Sequence, residues 1–217
     1  MIGVVLSLSS FIYGPTDPSV SAILPSSYFH IISEGLSDKA LFEAVEGYSL
    51  LKETEDLEKE MLIIIDYTKS SNLERFYVID MKDTSLTKSL LVAHGKNSGD
   101  EFANSFSNRK GSYQSSLGFF KTAETYEGKH GLSLRLDGLE KGINHLARER
   151  AIVIHQADYV SLDFAAEHGR IGRSLGCPAL PSKQYAQVIE SIKEGCLLYI
   201  YGGTEGYSSM SSLLQEN

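Results

Sequence analysis

From Met61 onward the chain is a succession of short apolar runs, none longer than one strand, each closed by glycine or by polar turn residues. The first is Met61-Leu62-Ile63-Ile64-Ile65-Asp66-Tyr67. Phe76–Asp80 and Leu90–Ala93 follow, then Leu117–Thr122, Leu132–Leu136, Ala151–His155 and Cys196–Tyr201. β-branched and aromatic side chains in runs this short suit a pleated surface and restrict the chain to strands. Helical spacing interrupts the pattern in two places. Ser37 and Asp38 precede apolar residues at Leu41, Phe42, Val45, Tyr48, Leu50 and Leu51, which predicts a capped helix near 38–53. An acidic connector, 53–60, separates it from the first strand. Ser182 is expected to cap a second helix running to about Lys193, with Gly195 as its stop. The order predicts one mainly β domain with flanking helices.

Composition agrees and narrows the function. With 217 residues, 42% of them hydrophobic, the chain can bury one substantial core. Glycine and tyrosine are frequent and tryptophan is absent, as suits a turn-rich β domain. The formal net charge is −8 and there is no basic block, which argues against nucleic acid as a partner, because phosphate contact needs clustered Lys and Arg. Residues 14–36, rich in Pro, Ser and Gly, read as a leader or linker. The apolar stretch Met1–Tyr13 is too short to span a bilayer. It reads as a secretory h-region with Val20-Ser21-Ala22 as a small-residue cleavage site, or as a poorly ordered leader, since no Lys or Arg precedes Lys39. No other stretch is a candidate for a membrane span.

The two cysteines are too few for a disulfide framework, although Cys177 and Cys196 could pair once. Cys196 opens an apolar run and reads as a small core hydrophobe. Cys177 lies in Gly172-Arg173-Ser174-Leu175-Gly176-Cys177-Pro178, a turn instead of an apolar run. Gly176 allows unusual backbone angles, Pro178 fixes the chain beyond the sulfur, and the N–H groups of Gly176 and Cys177 could converge as an oxyanion hole requires. The residue types alone leave Cys177 open between nucleophile and structural thiol. Of the six histidines, His155 ends the run 151–154 and His94 also ends a strand. Either placement suits a rigidly held base or a satisfied edge histidine. His30, His145 and His168 lie in polar surroundings or in the leader and read as surface residues. No CxxC, HxxxH or HExxH spacing supports a metal site.

Taken together, several stretches resemble the L,D-transpeptidase (YkuD-like) family, in its murein L,D-transpeptidase catalytic-domain branch. They are Val92-Ala93-His94-Gly95-Lys96-Asn97-Ser98-Gly99, Phe106-Ser107-Asn108, Ser115-Ser116-Leu117-Gly118-Phe119, Tyr126–Gly131, Ser133–Leu139, Ala151–His155, Ala157-Asp158-Tyr159 and Gly172–Pro178. The resemblance runs in order over roughly 38–203. It implies a β-sandwich-like catalytic domain, here 37–205, between a leader segment, 1–36, and a C-terminal tail, 206–217. It also implies Cys177 as nucleophile, His155 as its base, the carbonyl of Gln156 as the group orienting that base, and Gly176 with Cys177 as the oxyanion hole. Ser174 matches the family's Ser/Thr position. Two residue departures stand out: Leu175 replaces a histidine of mainstream members and Ala179 replaces an arginine. The His155–Cys177 separation is also a few residues longer than usual. Substrate orientation is then expected from His94, Arg173, Ser174, Asn108 and Ser116, the last two also being ordinary turn residues.

The implied reaction is acyl transfer on peptidoglycan stem peptides. Cys177 takes the acyl group of a tetrapeptide stem, D-alanine leaves, and an amine of a second stem accepts, giving a 3–3 cross-link. No metal or organic cofactor is implied. A carboxypeptidase or cross-link hydrolase using the same couple, and a non-catalytic murein-binding domain, are the alternatives. The substrate's location implies export, to a periplasm. Oligomeric state is not legible.

Overall fold

The structure is a computed structural model that describes residues 24–54 and 57–214. Residues 1–23, which include the stretches expected to be an apolar leader and its cleavage site, lie outside the described residues. Eight strands, β1 (Met61–Asp66), β2 (Phe76–Asp80), β3 (Ser85–Leu90), β4 (Gly118–Gly128), β5 (Gly131–Gly138), β6 (Val153–Ala157), β7 (Ala179–Pro181) and β8 (Leu197–Tyr201), form a mixed sheet in the order β3-β2-β1-β8-β4-β5-β6-β7. The helices are α1 (Phe29–Ser33), α2 (Asp38–Thr54), α3 (Leu162–His168), α4 (Tyr185–Ile192) and α5 (Tyr207–Met210). The chain is thus mainly β with flanking helices, as its apolar runs predict.

The centre of the sheet is its most apolar part. β1 pairs antiparallel with β2 and parallel with β8, and Leu62 to Ile65 face Leu197 to Ile200 in register. Strands flanked on both sides and covered on both faces read as unbroken apolar runs, which is why these segments stood out in the sequence. The edge strand is different. The run Leu90–Ala93 contributes only its first residue to β3, which begins at Ser85. Ser85-Leu86-Thr87-Lys88-Ser89 alternates toward solvent and carries little apolar signal. Val92 and Ala93 instead leave the strand: the Val92 carbonyl accepts from the Arg75 guanidinium, and Ala93 bridges Ala179.

α2 forms where its spacing predicts. The Ser37 hydroxyl accepts from the Ala40 N–H at 3.3 Å, and Ala40, Leu41, Ala44, Tyr48 and Leu51 bury one face. Gly47 lets the helix approach β4: a Cβ there would lie 2.1 Å from the Phe119 ring. Ser182 does not cap α4. Its hydroxyl is bound to the side chains of Gln156 and Asp158, and the helix starts after Gln184 without a side-chain cap. Gly195 does follow the helix in the left-handed region, at φ +84. α3, not anticipated, has ordinary local signals: Ser161 accepts from the Phe164 N–H, and Gly169 closes the helix at φ +78.

Both ends of the described residues pack on the core. Leu24, Tyr28, Ile31 and Leu36 are buried, so the described part of the stretch read as linker, 24–36, contributes helices and apolar contacts. In the C-terminal stretch, Tyr207 and Ser211 donate to the buried Glu140 carboxylate at 2.8 and 2.5 Å. The packed unit therefore extends past the limits 37 and 205 on both sides. No described helix is long and apolar enough to cross a membrane. Both cysteines are free thiols, with Cys196 in the main core.

Candidate active site

β6 and β7 run parallel, with His155 opposite Ala179. The loop that joins α3 to β7 carries Cys177 back beside β6, where the His155 N–H donates to the Pro178 carbonyl at 3.3 Å. Ser174 shapes this loop. Its backbone N–H donates to the His94 carbonyl at 2.9 Å and its carbonyl accepts from the Lys96 N–H at 2.8 Å. Its hydroxyl donates to the Cys177 carbonyl at 2.6 Å and accepts from the Gly176 N–H at 3.1 Å. Gly176 holds φ +124, and a Cβ there would stand 2.9 Å from the Gln114 carbonyl oxygen, so the turn requires glycine.

Cys177 and His155 line one open cavity of about 540 Å³. Its walls also carry Lys129 and His130 from the β4–β5 turn, Arg150, Tyr113, Tyr126, Tyr159, Arg173, Ser174 and Leu175, and among the described residues no aspartate or glutamate. The Cys177 sulfur lies 3.6 Å from the Ala151 carbonyl oxygen. Burial pushes the thiol above its ordinary value, while the Val153 N–H and the charges of Arg150 and Lys129 pull it back. The His155 ring is buried and its Nδ1 is 2.8 Å from the Gln156 carbonyl oxygen. Burial lowers its pKa, the Gln156 carbonyl raises it, and His130 and Lys129 lower it further. Both shifts favour the uncharged forms, the thiol of Cys177 and the neutral imidazole of His155. With Nδ1–H given to Gln156, Nε2 keeps its lone pair free to take a proton. The exposed His130 stacks on this ring, with centroids 4.6 Å apart.

The other sequence-derived candidates divide. Arg173 and Ser174 reach the cavity. Arg173 Nη1 is tied to Asp100 at 2.7 Å and to the Gly99 carbonyl at 2.8 Å. The Gly176 N–H points at the Ser174 hydroxyl, so this half of the expected oxyanion hole already has a partner. His94, expected at the substrate, is instead in the core with no exposed surface, and burial and Arg75 depress its pKa to about 4. Arg75 Nη2 donates to its Nδ1 at 2.8 Å and its Nε2 faces the Gly99 carbonyl at 3.3 Å. Asn108 is also not in the cavity wall. It binds the Leu146 N–H at 3.2 Å and His145 at 2.9 Å, holding the 140–146 turn. Ser116 is buried, donates to the Ser107 carbonyl at 2.8 Å and accepts from Arg150. His168 is on the exposed end of α3, stacked on Phe164.

Arg150, Lys129, His130 and Tyr159 were not singled out by sequence reasoning. Lys129 and His130 lie in one of the stretches quoted above, at the turn between two glycines, but nothing local says that this turn overhangs His155. Ala179 has its side chain in a small buried cluster with Ala93, Ala157, Val160 and Ile171. A long charged side chain at that position would have no room, which accounts for one of the two departures.

A family model described as the L,D-transpeptidase catalytic domain matches residues 32–201. No curated protein matches the chain. Among solved structures, an L,D-transpeptidase from Mycobacterium smegmatis is 13% identical with a TM-score of 0.42, over 66% of this chain and 59% of that one. L,D-transpeptidase 3 from Mycobacterium tuberculosis is 10% identical with a TM-score of 0.43, over 66% and 61%. An L,D-transpeptidase from Xylanimonas cellulosilytica is 14% identical with a TM-score of 0.38, over 66% and 61%. The chain thus spans about three fifths of the length of the solved proteins it is similar to.

Proposed function

Because the chain belongs to the L,D-transpeptidase catalytic domain family, we propose that it is a peptidoglycan L,D-transpeptidase that works through a cysteine nucleophile, Cys177, with His155 as the base. The observation that carries this reading is the placement of both side chains on one open cavity, with the Nδ1 of His155 held by the Gln156 carbonyl at 2.8 Å.

The donor is a tetrapeptide stem. His155 Nε2 takes the Cys177 proton as the sulfur adds to the carbonyl that joins the L-centre of the diamino acid to terminal D-alanine. The C–N bond then breaks, the proton passes from Nε2 to the leaving amine, and D-alanine departs, leaving a thioester. An amine of a second stem adds to that thioester. Its proton returns through His155 to sulfur as the C–S bond breaks, and a 3–3 cross-link results. The Cys177 N–H is the backbone donor available to the developing oxyanion, since the Gly176 N–H is committed to Ser174. Water in place of the amine would make the same site a carboxypeptidase. The substrate lies outside the cytoplasm, and we infer that the chain acts there, in a periplasm, with Cys177 kept reduced.

Intact mass after exposure to a carbapenem, an acylating mimic of the D-alanyl donor, tests the reading. A covalent adduct on the wild type and none on Cys177→Ala is the expected result. Absence of an adduct on freshly reduced wild type would overturn it. Tetrapeptide muropeptides then separate cross-linking from hydrolysis by whether the product contains a second stem.

A further inference from the structure

We propose that Arg150 is a positioning residue for the reaction, a fixed positive charge that favours the thiolate of Cys177; this rests on the reading of Cys177 as the nucleophile. Every hydrogen bond that anchors its guanidinium ends on a neutral acceptor. Nη1 donates to the Ser107 carbonyl at 2.6 Å and to the Ser116 hydroxyl, and Nη2 to the Gln114 carbonyl at 2.7 Å and the Ser112 hydroxyl at 3.3 Å. By contrast, Arg135 and Arg148 face Glu124, and Arg170 and Arg173 face Asp100. Among the described residues no carboxylate pairs with Arg150, so its charge is not cancelled locally.

Its position directs that charge. Arg150 shares the cavity wall with Cys177, and its Nη2 lies 3.6 Å from where a Cβ would stand on Gly176, the residue before the cysteine. A half-buried guanidinium acts through a medium of low dielectric, where a nearby anion gains far more than it would in water. The coupling is reciprocal: the thiolate raises the Arg150 pKa that burial lowers, and Arg150 lowers that of the thiol. The other titratable groups around the sulfur are His155 on β6, Lys129 and His130 on the β4–β5 turn, Tyr126 on β4, Tyr113 before β4, Tyr159 beyond β6, Tyr67 beyond β1, and Arg173 on the cysteine's own loop. Among them Lys129 also acts on the sulfur as a cation, but it is exposed at a hairpin tip, where solvent and salt screen it. Arg150 is held by four bonds and cannot swing away.

The test is the pH dependence of Cys177 alkylation by iodoacetamide, read by mass, in wild type, R150Q, R150K, S112D and S112N. R150Q removes the charge, and R150K keeps it while losing the fork. S112D sets a carboxylate against Nη2 while leaving the guanidinium in place, and S112N controls for size. The expected result is a midpoint about one pH unit higher in R150Q and S112D, with alkylation near neutrality about tenfold slower. R150K and S112N should stay close to wild type. Wild-type midpoints in both R150Q and S112D overturn the proposal. So does an equal upward shift in R150Q and R150K, which would trace the effect to the lost hydrogen bonds. If R150Q does not fold, the S112D and S112N pair decides alone. Alkylation needs no substrate, so failure of the carbapenem to acylate wild type would count against the transpeptidase reading and leave this measurement standing.

Discussion

The Nδ1 of His155 lies 2.8 Å from the carbonyl oxygen of Gln156, its own neighbour on β6. Because the partner is backbone, the ring's orientation belongs to the strand and not to a second side chain. His155→Gln should leave folding intact and slow carbapenem acylation of Cys177 by about 10²- to 10⁴-fold, followed by mass against time. A rate within a few-fold of wild type would remove His155 from the mechanism. Gln156→Ala keeps the carbonyl, loses only the side-chain contact to Ser182, and should retain most of the rate.

Ser174 closes the cysteine loop from within. Ser174→Ala strands the buried Gly176 N–H and frees the Cys177 carbonyl. The expected cost is about 1–3 kcal/mol of stability, measured by chemical denaturation. Acylation should slow in parallel, and Ser174→Thr, which keeps the hydroxyl, should recover both.

His94 makes stability depend on pH. Its folded pKa is depressed from 6.5 to about 4 by burial and by Arg75. The unfolded chain therefore binds a proton in that window that the folded chain does not. Stability from this group is complete above the unfolded value and is lost as pH falls toward the folded one, by about 3 kcal/mol in all. Denaturation midpoints measured across the window should show this slope in wild type. In His94→Gln, which cannot titrate, the slope should be flatter by that amount, and an unchanged slope would mean that His94 does not titrate as described.

Gly47 reverses an ordinary rule. Alanine in a helix interior normally stabilises by up to about 1 kcal/mol over glycine. Here the added methyl would meet the Phe119 ring at 2.1 Å, and Phe119 is itself stacked on Tyr199 at 4.4 Å. Overpacking of this kind costs about 1–3 kcal/mol. Gly47→Ala should therefore lower the melting temperature, and a rise would show that α2 can shift off β4 freely.

Much of the fold was legible because strands and helices are announced locally. β1, β2, β6 and β8 are buried on both faces and carry unbroken apolar runs. α2 has its cap and its stripe. β3 escaped because an edge strand alternates with solvent and is rich in Ser, Thr and Lys. Ser182 misled because a hydroxyl before a helical pattern resembles a cap, whereas tertiary packing gave it Gln156 and Asp158 as partners. The stretch before Ser37 read as an appendage from its Pro, Ser and Gly residues, and the tail because the resemblance stops short of it, yet Leu24, Tyr28, Ile31 and Tyr207 are core.

By itself the sequence determined the succession of strands, the helix over 38–53, and the singular setting of a cysteine between Gly176 and Pro178 with a histidine ending the run before it. Periodicity and turn chemistry decide these, and both act between neighbours in the chain. Only the tertiary structure decided what surrounds that pair. It withdrew His94 to brace Arg75, turned Asn108 to the 140–146 turn, committed the Gly176 N–H to Ser174, and brought Arg150 and His130 to the cavity. Each of those outcomes depends on a partner or a wall supplied from elsewhere in the fold. Whether a polar side chain is buried, and which acceptor it finds there, is set by such contacts and not by the residues beside it.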